Sequence, residues 1–116
     1  MMVVVQGTKE FSDYNVFLRA ISVALSMITD NDPYFYVYTV GPQVTNSFVF
    51  EFCNLSERGL KARGKKIKYY KVQQNWVEEN IQDINYFIYL SAPNQPLSYL
   101  ANSAKKSGVE VGIFQH

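Results

Sequence analysis

Histidine and cysteine are almost missing from this chain. His116 is the only histidine and stands at the last position, and Cys53 is the only cysteine. A histidine-based nucleophilic triad or a metal cluster therefore has no material. A lone cysteine excludes an intramolecular disulfide, and Cys53 falls on the apolar side of a predicted helix, where it reads as a small core residue. No segment approaches the apolar length of a membrane span, and no basic-then-apolar leader opens the sequence, so a soluble, cytoplasmic domain is expected. Neither a GxGxxG fingerprint after the first strand nor a Walker lysine motif is present. Internal repeats, low-complexity segments and linkers are also lacking. The sequence is without the parts of a standard enzyme.

What is present is a globular composition rich in rings. In 116 residues there are nine Tyr, eight Phe and one Trp, which argues against disorder and for one domain around a single core. The net charge of +1 points to no partner by itself, but its distribution is lopsided: seven of the eleven Lys and Arg residues lie between Arg58 and Lys71, without an acid among them.

Apolar periodicity predicts strands over 2–6, 34–40, 66–72, 84–90 and 109–114. Between them it predicts helices over 14–28, from Thr45 or Asn46 to about Ala62, over about 76–82 and over about 97–107. Asp13 is placed to cap the first helix, with Phe17, Ala20, Ile21, Ala24, Leu25 and Ile28 on its buried face. Gly64 and Gly108 are helix stops. Strands alternating with helices imply an α/β, three-layer, Rossmann-like open sheet of five mostly parallel strands.

Such sheets bind ligands outside the carboxyl ends of the strands, where strand order reverses. With the first strand central, the loops that meet there carry Gly7, Thr8, Lys9 and Glu10, and Ser91 and Asn94. The neighbouring loop adds Gly41, Gln43, Thr45 and Asn46. Helix-start amides, hydroxyls, side-chain amides and one lysine suit a phosphate, a ribose or an amide-bearing base. Turns require much the same residues for conformational reasons. Glu10 and Asp13 read as surface and capping residues before they read as a catalytic pair.

The basic segment has two readings. Arg63, Lys65, Lys66, Lys68 and Lys71, interleaved with Tyr69 and Tyr70, suit phosphates and stacked bases. They equally suit the carboxyl end of a helix followed by an edge strand protected against aggregation, and this second reading explains both the charge and its location.

The opening turn, Val3-Val4-Val5-Gln6-Gly7-Thr8-Lys9-Glu10-Phe11-Ser12-Asp13-Tyr14, resembles that of the SLOG superfamily, closest to its small YspA-like and YpsA-like members. Those pass from an apolar strand into a Gly-Ser/Thr-Arg-x-Phe-x-Asp-Tyr turn, and Lys9 stands here for the arginine. Leu90-Ser91-Ala92-Pro93-Asn94-Gln95-Pro96, the following helix and Gly108-Val109-Glu110-Val111 resemble the family's last unit. The resemblance implies strand order 3-2-1-4-5, a pocket for a nucleotide-derived molecule and a homodimer. The family's middle Gly-Gly-x-x-Gly-Ala-Asp motif appears as Gly41-Pro42-Gln43-Val44-Thr45-Asn46-Ser47, and the phosphoribohydrolase Pro-Gly-Gly-x-Gly-Thr motif is absent. Pro42 and Pro93 each remove an N–H where phosphate would approach.

The expectation is thus a non-enzymatic module that senses or sequesters a nucleotide-derived small molecule, without a cofactor or metal. The alternative is an interaction protein on a degenerate SLOG-like scaffold, binding a protein or a single-stranded nucleic acid. A nucleoside hydrolase or transferase using Glu10 or Asp13 is a third reading.

Overall fold

The computed structural model describes residues 1–116. Five strands, β1 (Met2–Gly7), β2 (Tyr34–Val40), β3 (Lys66–Lys71), β4 (Tyr86–Ser91) and β5 (Glu110–Gln115), form one sheet in the order β3-β2-β1-β4-β5. Every neighbouring pair is parallel. The α/β, Rossmann-like expectation and its strand order hold, with all the strands parallel rather than most.

Helices α1 (Tyr14–Ser26) and α2 (Gln43–Ala62) cover one face, where Phe17, Ile21 and Phe52 pack on Val3, Val5, Phe35, Val37 and Ile88. The short α3 (Gln74–Glu79) and α4 (Tyr99–Lys106) cover part of the other, where Val77, Leu100 and Ala104 meet Val4, Phe87 and Tyr89. Each large apolar side chain buried this way contributes about 1.5–3 kcal/mol. The central strands β1 and β4 are apolar because both of their faces are covered. Cys53 sits in the α1/α2 layer, and burial pushes its thiol up to about 12. No helix is long and apolar enough to cross a membrane.

Several element ends depart from the periodicity, each for a local reason. The Asp13 carboxylate accepts from Val16 N at 3.0 Å and starts α1 as expected. At the other end, the N–H groups of Met27 and Ile28 turn to the carbonyls of Ala24 and Leu25, so the regular helix closes at Ser26. Helix α2 begins at Gln43, before the two residues expected to cap it. Pro42, at φ −68°, leads the chain in without a side-chain cap. Asn80 donates its side-chain amide to Trp76 O at 2.8 Å and ends α3, after which Ile81–Asp83 form a 3₁₀ turn. Helix α4, expected from about Leu97, starts at Tyr99 because Ser98 caps it by accepting from Ala101 N at 3.0 Å. Ser91 closes β4 instead of opening the next loop, paired with Gln115.

Two glycines of opposite circumstance test the packing. A Cβ on Gly112 would collide with the Tyr86 hydroxyl and lie 2.7 Å from its Cζ, whereas one on Gly59 meets nothing within 4 Å. Gly112→Ala is expected to lower the unfolding free energy by about 1–3 kcal/mol, the usual cost of overpacking. Gly59→Ala, within α2, should raise it by roughly 0.5–1 kcal/mol. Urea unfolding followed by circular dichroism reads both, and equal effects of the two substitutions would contradict this packing.

Candidate functional site

The strand order reverses between β1 and β4, so the crevice expected to hold a ligand opens above Gly7 and Leu90. It is laced shut by hydrogen bonds. Thr8 N donates to Leu90 O at 3.0 Å, extending the pairing past the end of β1. Gln95 does the rest: its carbonyl accepts from the Thr8 hydroxyl at 2.9 Å and from Ala92 N at 2.7 Å, and its amide donates to Glu10 at 2.9 Å. Below it, Ser98 donates to the Gln6 side chain at 2.6 Å. Asn94 holds a left-handed turn at φ 66°, a conformation asparagine tolerates.

On the other flank, α2 closes over the end of β1. A Cβ on Gly7 would collide with Thr45 Oγ1, and one on Gly41 (φ +123°) would lie 2.9 Å from Gly7 O. The Thr45 side chain is fully buried here and its hydroxyl has no partner. Ser91 is also fully buried with its hydroxyl unpartnered. Of the residues expected to gather around a ligand, Gly7, Thr45 and Ser91 are thus packed inside. Thr8 and Glu10 are tied to Gln95, and Lys9, Gly41 and Asn94 lie exposed on the loops.

The candidate carboxylates are likewise engaged. The hydrogen bond from Gln95 holds Glu10 below the ordinary carboxylate value, with its own backbone amide helping. Glu10 is therefore ionised at neutral pH and not poised as a general acid. Asp13 uses one oxygen to cap α1 and has the other 2.9 Å from His116 Nε2.

An open cavity lies one strand away from the crevice. It has a volume of about 590 Å³ and sits over the carboxyl ends of β2 and β3, against the first turns of α2. Thr39 and Lys71, which face each other in register, form its floor with Tyr69. Gln43, Asn46, Ser47, Phe50 and Glu51 form the α2 side. Thr39 donates to Asn46 Oδ1 at 2.9 Å, fixing the amide with its NH2 group left to donate. Phe50 meets the Tyr69 ring edge to face, centroids 5.4 Å apart, an aromatic wall of favourable geometry.

Only Gln43 and Asn46 of the expected loop residues belong to this cavity, and Lys71 joins them from the basic segment. Tyr69 comes with Lys71 from that segment, whereas Thr39, Ser47, Phe50 and Glu51 were not anticipated. Phe50 carried one signal, since it is a large aromatic residue off the buried stripe of α2 and is 54% exposed.

The basic segment does not act as one patch. Arg63 is exposed just past α2, and Lys71 lines the cavity. Lys66 and Lys68 are exposed on the edge strand β3. Lys65 corrects the expectation outright: it is 5% exposed, and its ammonium donates to Thr29 O and Asp32 O, both at 2.7 Å. It fastens the α1–β2 loop and is withheld from any ligand. Comparison of the chain with family models, curated proteins and solved structures returns no match.

Two predictions follow from these bonds. Lys65→Ala, which strips two carbonyls of a charged donor, should cost roughly 1–3 kcal/mol. Lys66→Ala and Lys68→Ala should each stay within about 0.5 kcal/mol of the parent. Thermal and urea unfolding compare them, and a harmless Lys65→Ala would refute the buried anchor. In NMR titrations, Gln95→Leu should raise the Glu10 pKa toward its ordinary value. Because that pKa is depressed in the folded state, its stabilising effect is present at neutral pH and lost as pH falls through the folded value. The acid limb of the stability profile should therefore be shallower in Gln95→Leu, and an unmoved Glu10 pKa would separate the two residues.

Proposed function

We propose that this chain is a non-enzymatic module that binds a nucleotide-derived small molecule in the cavity over β2 and β3. The observation that carries the reading is the cavity itself: about 590 Å³ at the carboxyl ends of parallel strands, lined by Lys71, Glu51, two side-chain amides and two rings. Small-molecule sites commonly span ~300–1,000 Å³ and combine apolar walls with a few directed polar groups. Lys71 suits a phosphate as a point charge. Asn46, with its oxygen occupied by Thr39, presents an amide donor to a base edge or a ribose oxygen. Glu51 suits a ribose hydroxyl or an exocyclic amine, and Phe50 and Tyr69 supply apolar surface for a base.

The reading keeps the ligand class and the end of the sheet expected from the SLOG-like opening turn but moves the site by one strand.

The test is a thermal-shift series with nucleoside mono- and diphosphates, cyclic nucleotides and ADP-ribose derivatives, confirmed by calorimetry. A ligand at a hundred times its dissociation constant should add ~2.7 kcal/mol to stability. Lys71→Ala should weaken a phosphorylated ligand roughly tenfold or more while affecting its nucleoside little. Gln95→Leu should leave the affinity unchanged. Silence of the whole panel at millimolar concentration overturns the proposal, and sensitivity to Gln95 rather than Lys71 would return the site to the crevice between β1 and β4.

A further inference from the structure

The opposite face of β2 and β3 carries a feature the cavity does not use. The pleat places Tyr34, Tyr36 and Tyr38 of β2 on that face, opposite Lys66, Lys68 and Tyr70 of β3. The rings form a row. Tyr34 stacks on Tyr36 at 5.6 Å and 11°, Tyr36 neighbours Tyr38 at 6.5 Å, and Tyr38 stacks on Tyr70 at 5.5 Å and on Trp76 at 4.4 Å. Cover is partial because the crossover from β3 to β4 offers only the six-residue α3, which buries Val77 alone. Tyr34 and Tyr70 stay 39% and 43% exposed.

From this juxtaposition we propose that the tyrosine row flanked by Lys66 and Lys68 is a binding platform for single-stranded nucleic acid. The charge is complementary to a phosphate backbone: β2 and β3 contain no acid, and Lys66 and Lys68, which at the sheet edge also border a hollow with Glu57 and Lys61 of α2, form no ion pair. Edge protection accounts for lysines on β3, but it does not account for the tyrosine row laid beside them. Along β2 the rings step by 5.6 and 6.5 Å, and Tyr70 adds a ring from β3 at 5.5 Å from Tyr38. A ring can take the face of a base only where that base is unstacked, so exposed tyrosines suit a single strand rather than a duplex. Aromatic contacts serve any base, since each has a π-face, while the lysines hold the backbone. The platform is independent of the cavity, which opens on the other side of the sheet.

Trp76, the only tryptophan, sits at the end of the row and reports on it. The experiment is fluorescence anisotropy of labelled oligothymidylate and mixed-sequence strands of ~12 nucleotides, with Trp76 quenching as a second readout. Binding should weaken with salt at a slope of about −0.7 per phosphate contacted, hence about −1.4 for two lysines. Lys66→Ala with Lys68→Ala should flatten that slope, and Tyr34→Ala or Tyr70→Ala should each reduce affinity about fivefold or more. Lys71→Ala, on the cavity side, should change neither, so failure here is distinct from failure of the cavity reading. Circular dichroism confirms that each variant is folded. Absence of binding at low salt overturns the proposal, as does binding indifferent to these lysines and tyrosines, or a preference for duplex. Self-association abolished by Tyr34→Ala, without oligonucleotide binding, would likewise overturn it and give the face to a second copy of the chain.

Discussion

The close approach of α2 to the end of β1 is the contact on which the rest of the molecule's upper surface depends. It exists because Gly7 has no side chain: the Thr45 hydroxyl lies where a Cβ would stand. Gly41 supports the same approach by turning the chain at φ +123° against the Gly7 carbonyl. Once α2 is seated there, its first turns are fixed relative to β2 and β3. Thr39 can then reach Asn46, and Phe50 can meet Tyr69. The seat that fills the space over β1 is thus the same one that leaves a cavity over its neighbours.

Gln95 performs the corresponding task on the β4 side. One amide group satisfies Thr8, Ala92 and Glu10 together, and the loops of β1 and β4 become a single closed surface. In an open parallel sheet this is the usual place for a ligand, so its closure shifts the functional question sideways. The charges follow the same logic. Glu10 is spent on Gln95, Asp13 on its helix cap, and Lys65 on two loop carbonyls, whereas Lys71 and Glu51 remain free of ion pairs beside an open volume.

The edge strand β3 gives the sheet two unlike surfaces. Its alternation sends Tyr69 and Lys71 toward α2 and the cavity, and Lys66, Lys68 and Tyr70 toward the thinly covered face with the tyrosines of β2. A stretch that reads as one basic run is therefore divided by the pleat between two environments, with Lys65 removed to a third.

Whereas the strand order was expected from the resemblance of the opening turn, the strands, the helices and most of the core were legible from periodicity, because alternation and 3.6-residue spacing express burial locally. The Asp13 cap was legible for the same reason, its partner Val16 being three residues away. The exceptions share a physical cause. Thr45 and Asn46 looked like caps, yet Thr45 packs over Gly7 with its hydroxyl unpartnered, and the Asn46 oxygen is taken by Thr39. Gln95 looked like a turn residue, although its partners Thr8 and Glu10 are eighty-seven and eighty-five positions away. Lys65 looked like one more surface cation until the α1–β2 loop came within reach of its ammonium. Local pattern settled the architecture of this chain; which polar side chains remained available to a ligand was settled only when distant segments met, because a hydrogen bond is spent on whichever partner the finished fold brings closest.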